Sequence, residues 1–140
     1  MPSIRIRAAT SSTPALNIEY RTFGDPSHTP MLLVMGLGGC ILNWPWKTFC
    51  EPIAAAGFYV IIWDNRDSGR STFFDHLGKP RLEAHFIASL VPGGGALAPA
   101  LGMTPPYSLL EVAEDGILLL DALCGKHAKG HLAGASMGGS

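Results

Sequence analysis

The apolar positions of this chain follow two patterns. Ile4-Arg5-Ile6-Arg7 and Leu16-Asn17-Ile18-Glu19-Tyr20 alternate with a period of two, as half-exposed strands do. Met31-Leu32-Leu33-Val34-Met35 and Phe58-Tyr59-Val60-Ile61-Ile62-Trp63 are apolar throughout. Continuous runs of this kind predict strands buried on both faces, the habit of parallel sheets. Turn-forming residues close three of these strands: Gly24-Asp25-Pro26, Gly36-Leu37-Gly38-Gly39 and Asp64-Asn65-Arg66-Asp67.

Helical spacing fills the gaps. A helix is expected from Pro45, a residue tolerated in a first turn, to a stop at Gly57. Trp46, Phe49, Cys50, Ile53 and Ala54 recur at helical intervals there and are expected to face the sheet. A second helix follows Ser108, which with Glu111 fits a capping box. Val112, Leu119, Leu120 and Leu123 form its apolar stripe, Asp115 and Asp121 read as its solvated face, and Gly125 ends it. His131-Leu132-Ala133-Gly134 is a short strand candidate. The Gly- and Pro-rich stretch from Pro92 to Pro106 reads as a long irregular connection within one domain.

Strand, helix, strand, helix, strand specifies a parallel α/β sheet. Right-handed crossovers bring the C-terminal ends of the parallel strands to one edge, where ligands bind in such folds. Three features share that edge: the Gly36–Gly39 loop, the Asp64–Asp67 turn and Ser136.

Composition narrows the function classes. A length of 140 residues suits one domain, and 47% hydrophobic with 15% charged residues describes a packed globular chain. The net charge is −1 and the ten Lys and Arg are scattered, so no nucleic-acid partner is expected. Met1 to Arg7 alternates and lacks the continuous apolar stretch of a signal peptide. The longest apolar run, Ala54 to Trp63, holds Gly57 and falls well short of the ~20 residues of a membrane helix, so no membrane span is expected. Cys40, Cys50 and Cys124 show no C-x-x-C spacing, which suits free thiols, no metal site and a cytoplasmic protein.

The candidate chemistry lies at the end of the sequence. Gly134-Ala135-Ser136-Met137-Gly138 matches G-x-S-x-G directly after a strand. A serine held at such a sharp turn presents its hydroxyl as a nucleophile, and the glycines leave room for the turn. Attack on an ester creates an oxyanion that needs preorganised backbone N–H donors. Met137, next to the nucleophile, and Leu37, in the earlier glycine loop, are the candidates. Without that context the pentapeptide reads equally well as a plain glycine-rich turn. Gly36-Leu37-Gly38 followed by Asp64 also has some likeness to a dinucleotide fingerprint, but the third glycine of that pattern would fall at Ile41.

Together these blocks resemble the α/β-hydrolase superfamily, in its esterase- and lipase-like branch. Gly36–Gly39 stands at the oxyanion-loop position, and Asp64-Asn65-Arg66-Asp67-Ser68-Gly69-Arg70-Ser71 resembles the D-x-R-G-x-G-x-S turn. Gly134–Gly139 resembles the nucleophile elbow. Met35 stands where many relatives carry His, and Asp67 replaces a glycine, though neither change removes a backbone donor.

The resemblance implies the N-terminal part of an α/β-hydrolase fold, a mostly parallel sheet with an antiparallel N-terminal hairpin and flanking helices. It also implies a serine hydrolase of ester-type bonds, working on a small-molecule ester-like substrate through an acyl-enzyme on Ser136, with no cofactor. The family's triad order places Asp or Glu and then His after the serine. The five histidines, His28, His76, His85, His127 and His131, all precede Ser136. Asp64 and Asp67 are expected to serve as turn and ion-pair residues with Arg66. Residues 1–140 are therefore expected to form an incomplete domain whose elbow strand is an open sheet edge. As an isolated polypeptide it is expected to be inactive and marginally stable. The alternative is a non-catalytic, hydrolase-like remnant that binds a ligand or partner.

Overall fold

A computed structural model describes residues 1–11, 13–36, 38–77 and 107–139. They fall into a larger unit, Met1–Phe73 with Leu110–Ser140, and a smaller one, Phe74–Leu109. In the smaller unit Phe74 packs edge-on against Tyr107, with ring centroids 6.0 Å apart. The Pro92–Pro106 stretch and His85 lie outside the described residues.

The larger unit is built on five strands: β1 (Ser3–Arg7), β2 (Leu16–Phe23), β3 (Thr29–Val34), β4 (Phe58–Trp63) and β5 (His131–Gly134). Their order across the sheet is β1-β2-β4-β3-β5. β1 and β2 form the antiparallel hairpin, β2 also runs antiparallel to β4, and β3 is parallel to both β4 and β5. This is a mixed sheet in which β3, β4 and β5 are the parallel strands. β2 runs three residues beyond the alternating stretch, because Tyr20–Phe23 pair with Trp63–Val60.

Both faces of β3 and β4 are covered, which is why their sequences do not alternate. On one face Leu33, Val60 and Ile62 pack with Ile41, Trp44 and Cys50. On the other, Gly116 of helix α2 (Leu109–Cys124) comes so close that a Cβ there would lie 3.3 Å from both Leu32 and Trp63. Leu119 and Leu120 are buried beside it, and Gly125, at φ +88°, ends the helix with its N–H on the Asp121 carbonyl. Burying each large aliphatic side chain of this core stabilises the fold by about 1.5–3 kcal/mol.

The segment from Pro45 to Gly57 is not one regular helix. A wide π-type turn, Trp46–Cys50, leads into the short helix α1 (Glu51–Ala55). Pro52 has no N–H to return to Thr48, which favours the wider turn at this point. The change of pitch shifts the phase of the side chains. Cys50 is buried, and Trp46, Ile53 and Ala54 pack on the core as expected. Phe49 does not face the sheet: it is 40% exposed and stacks on Trp44 with centroids 5.5 Å apart.

Asp115 also departs from expectation. It is fully buried, not part of a solvated helix face. Its carboxylate accepts two bonds from Arg66, Nε at 2.6 Å and Nη2 at 2.8 Å, and one from Arg7 Nε at 3.0 Å. Arg7 reaches Glu114 as well, at 3.0 Å, and this contact first, then Asp115, raises the Arg7 pKa against the opposing effect of burial. The bidentate partner of Arg66 is thus on α2 rather than in its own turn.

Candidate active site

Ser136 follows β5 at the end of the sheet where β3 and β4 also terminate. Its backbone sits in the left-handed region at φ +57°, a conformation that costs a non-glycine residue roughly 1–2 kcal/mol. The turn is held by the Ala135 N–H on the Val34 carbonyl and the Gly138 N–H on the Ala135 carbonyl, each at 3.0 Å. Packing explains the flanking glycines. A Cβ on Gly134 would collide with the Gly138 carbonyl, and one on Gly138 would collide with the carbonyl of Val34. The motif is therefore what lets the elbow lie flat against the end of β3.

Ser136 is exposed, and its side chain lies over Gly36 at the start of the glycine loop. The two sequence blocks, 100 positions apart, thus meet at one point. Met137 is half-buried beside it. Leu37, the other candidate donor, lies outside the described residues, but Gly36 and Gly38–Ile41 on either side are placed. The Met35 side chain occupies the space where a Cβ on Gly39 would fall.

The Asp64–Ser71 turn packs beside this loop. Asp64 is buried, and its carboxylate accepts the N–H of Ile41 at 2.6 Å and of Arg70 at 3.0 Å. Those bonds leave it committed to the protein backbone, which disfavours the ribose-binding role of a dinucleotide fingerprint. Asp67 stands at φ +59°, so the glycine usual at this place has been replaced by one of the few residues that tolerate that conformation.

Among the described residues, the Ser136 hydroxyl has no hydrogen-bond partner, and no histidine or carboxylate reaches it. His131 begins β5, and roughly 10 Å of strand separates it from Gly134. Its ring packs edge-on against Phe58 instead, at 5.6 Å. His127, at φ +68°, is exposed in the preceding turn. Among the described residues β5 pairs with β3 alone, and all four of its residues are exposed. No group of side chains suited to a metal ion occurs among the described residues. Nor is any helix among them long and apolar enough to cross a membrane.

No family model matches the chain. It is 33% identical over 115 residues to the rhodomycin D methylesterase DauP of Streptomyces sp. (strain C5), a match covering 82% of this chain and 29% of that relative. It is 34% identical over 110 residues to the rhodomycin D methylesterase DnrP of Streptomyces peucetius, covering 73% of this chain and 37% of that one. The chain thus spans about a third of the length of these relatives. A carboxylesterase structure from the ammonia-oxidizing thaumarchaeon Nitrososphaera gargenis superposes with a TM-score of 0.63 at 20% identity, covering 98% of this chain and 37% of that one.

Proposed function

Because this chain belongs to the α/β-hydrolase superfamily, we propose that Ser136 is the nucleophile of an ester hydrolase and that residues 1–140 supply the nucleophile and oxyanion half of its site. The observation that carries this reading is the left-handed Ser136 hydroxyl standing over Gly36, between the elbow and the glycine loop. Ester hydrolysis is also the chemistry named for both methylesterase relatives.

In the proposed reaction Ser136 Oγ attacks the ester carbonyl carbon and gives up its proton to a base. The carbonyl oxygen becomes an oxyanion held by the N–H groups of Met137 and Leu37. The tetrahedral intermediate expels the alcohol, which takes the proton, and leaves an acyl group on Ser136. Water then releases the acid and frees the serine. The family's motif order puts the base, a histidine, and its carboxylate partner later in the chain than Ser136. An unactivated hydroxyl is a poor nucleophile, so the reaction depends on that base. The substrate is a small-molecule ester.

The test is hydrolysis of an aryl ester and an alkyl methyl ester by the protein expressed from its whole reading frame, beside the Ser136→Ala variant. A loss of kcat on the order of 10³-fold or more supports the assignment. Equal turnover by the two proteins would overturn it.

A further inference from the structure

The Asp64–Ser71 turn is given no part in the chemistry above, yet its side chains close on the oxyanion loop from both ends. Asn65 Nδ2 donates to the carbonyl of Met35 at 3.3 Å. Ser68 Oγ donates to the carbonyl of Gly39 at 2.5 Å, and Asp64 Oδ1 accepts the N–H of Ile41 at 2.6 Å. We propose that Ser68 and Asp64 are positioning residues for the oxyanion loop, fixing the backbone donor that the reaction requires. This rests on the reading of Gly36–Gly39 as that loop.

The physical need is plain from composition. Three of the four residues from 36 to 39 are glycine, so the loop has little side chain of its own to pack and a large conformational entropy to lose. Its one described internal bond runs from the Gly39 N–H to the Gly36 carbonyl at 3.1 Å. An oxyanion donor is effective only when held within a fraction of an ångström of its working position. Polar anchors from a neighbouring element meet that demand without placing bulk in the site.

The anchoring element is itself rigid. Asp64 Oδ2 accepts the Arg70 N–H, Ser71 Oγ donates to the Asp64 carbonyl at 2.6 Å, and the Glu19 N–H bonds Ser71 Oγ at 3.0 Å. Gly69, at φ +54°, leaves the space that the Asp64 carboxylate occupies. Arg66 ties the same turn to Asp115. A cross-linked turn thus holds the two ends of a glycine-rich loop.

Backbone amide exchange in the 140-residue chain tests the proposal without requiring activity. Ser68→Ala should speed exchange at Gly39 and Ile41 by about 10-fold, the worth of one hydrogen bond, with the β4 amides unchanged and Ser68→Thr close to wild type. Unchanged exchange at those two amides, or equal acceleration in β4, overturns it. In the protein from the whole reading frame, Ser68→Ala should lower kcat about 10-fold with KM unchanged. An unaltered kcat alongside Ser136-dependent turnover also overturns it. Loss of the exchange effect and loss of Ser136 dependence are separate readouts, so failure here is distinguishable from failure of the hydrolase assignment.

Discussion

A methyl group placed on Gly36 would stand 2.8 Å from the Cβ of Ser136 and 3.1 Å from its Oγ. The first distance is shorter than carbon atoms tolerate, and the Ala135 carbonyl, 3.0 Å away, blocks retreat on that side. Gly36→Ala should therefore displace the elbow and destabilise the chain by about 1–3 kcal/mol, the usual cost of overpacking. Gly139→Ala is the control, since its nearest neighbour would lie 3.4 Å away. Urea midpoints for the two variants measure the contrast, and similar midpoints would contradict the packing described.

Ser136 carries strain that serves its exposure. At φ +57° a Cβ is penalised and a glycine is not. Ser136→Gly should leave the chain more stable than Ser136→Ala by about 1 kcal/mol, although both remove the hydroxyl. Thermal unfolding of the two variants side by side decides it. Equal melting temperatures would mean that the elbow relaxes out of the left-handed region.

The Arg66–Asp115 pair should behave as a buried ion pair. Both side chains are at least 95% buried, so truncating Asp115 removes the carboxylate that takes two bonds from the Arg66 guanidinium. Asp115→Ala should cost about 3–5 kcal/mol, enough to unfold a marginal chain. Arg66→Met with Asp115→Leu should cost much less than the two single changes together. A double-mutant cycle by denaturant unfolding gives the coupling, and additivity would refute it.

Cys50 makes stability pH-dependent. Burial pushes its thiol up, the nearby Arg21 charge pulls it part of the way back, and Glu51 adds to the rise. The folded chain therefore holds the thiol proton more tightly than the unfolded one. This contribution is complete below the ordinary thiol range of about 8.5 and is lost as pH rises through the raised folded value. Stability should fall across that alkaline window, and Cys50→Ala should reduce the slope, leaving the contribution of Cys124, whose thiol burial also raises. An unchanged slope would show that Cys50 is not the group responsible.

What could be read from the sequence was set by how local the governing interaction is. β4 and the elbow turn are legible because an unbroken apolar run or a glycine spacing defines each within six residues. The burial of Asp115 is not legible, because its helix neighbours Glu111, Glu114 and Asp121 are also acidic and nothing local separates the buried one from the rest. Its partners, Arg66 and Arg7, lie 49 and 108 positions away. Phe49 departs from its helical phase because the π-type turn at Trp46–Cys50 breaks the 3.6-residue repeat. The pairing of Ser68 with Gly39 left no trace in pattern, since a serine in a turn has many uses.

The Arg7–Asp115 bond has a consequence for the order in which the chain acquires its structure. During synthesis the first strand emerges more than a hundred residues before the carboxylate that fixes its far end. The β1–β2 hairpin can form early, but Arg7 has no Asp115 to meet until most of the 140 residues have been made. A contact of such long sequence separation closes late and slows the final folding step. The Arg7 end of β1 is thus made early and locked in place late.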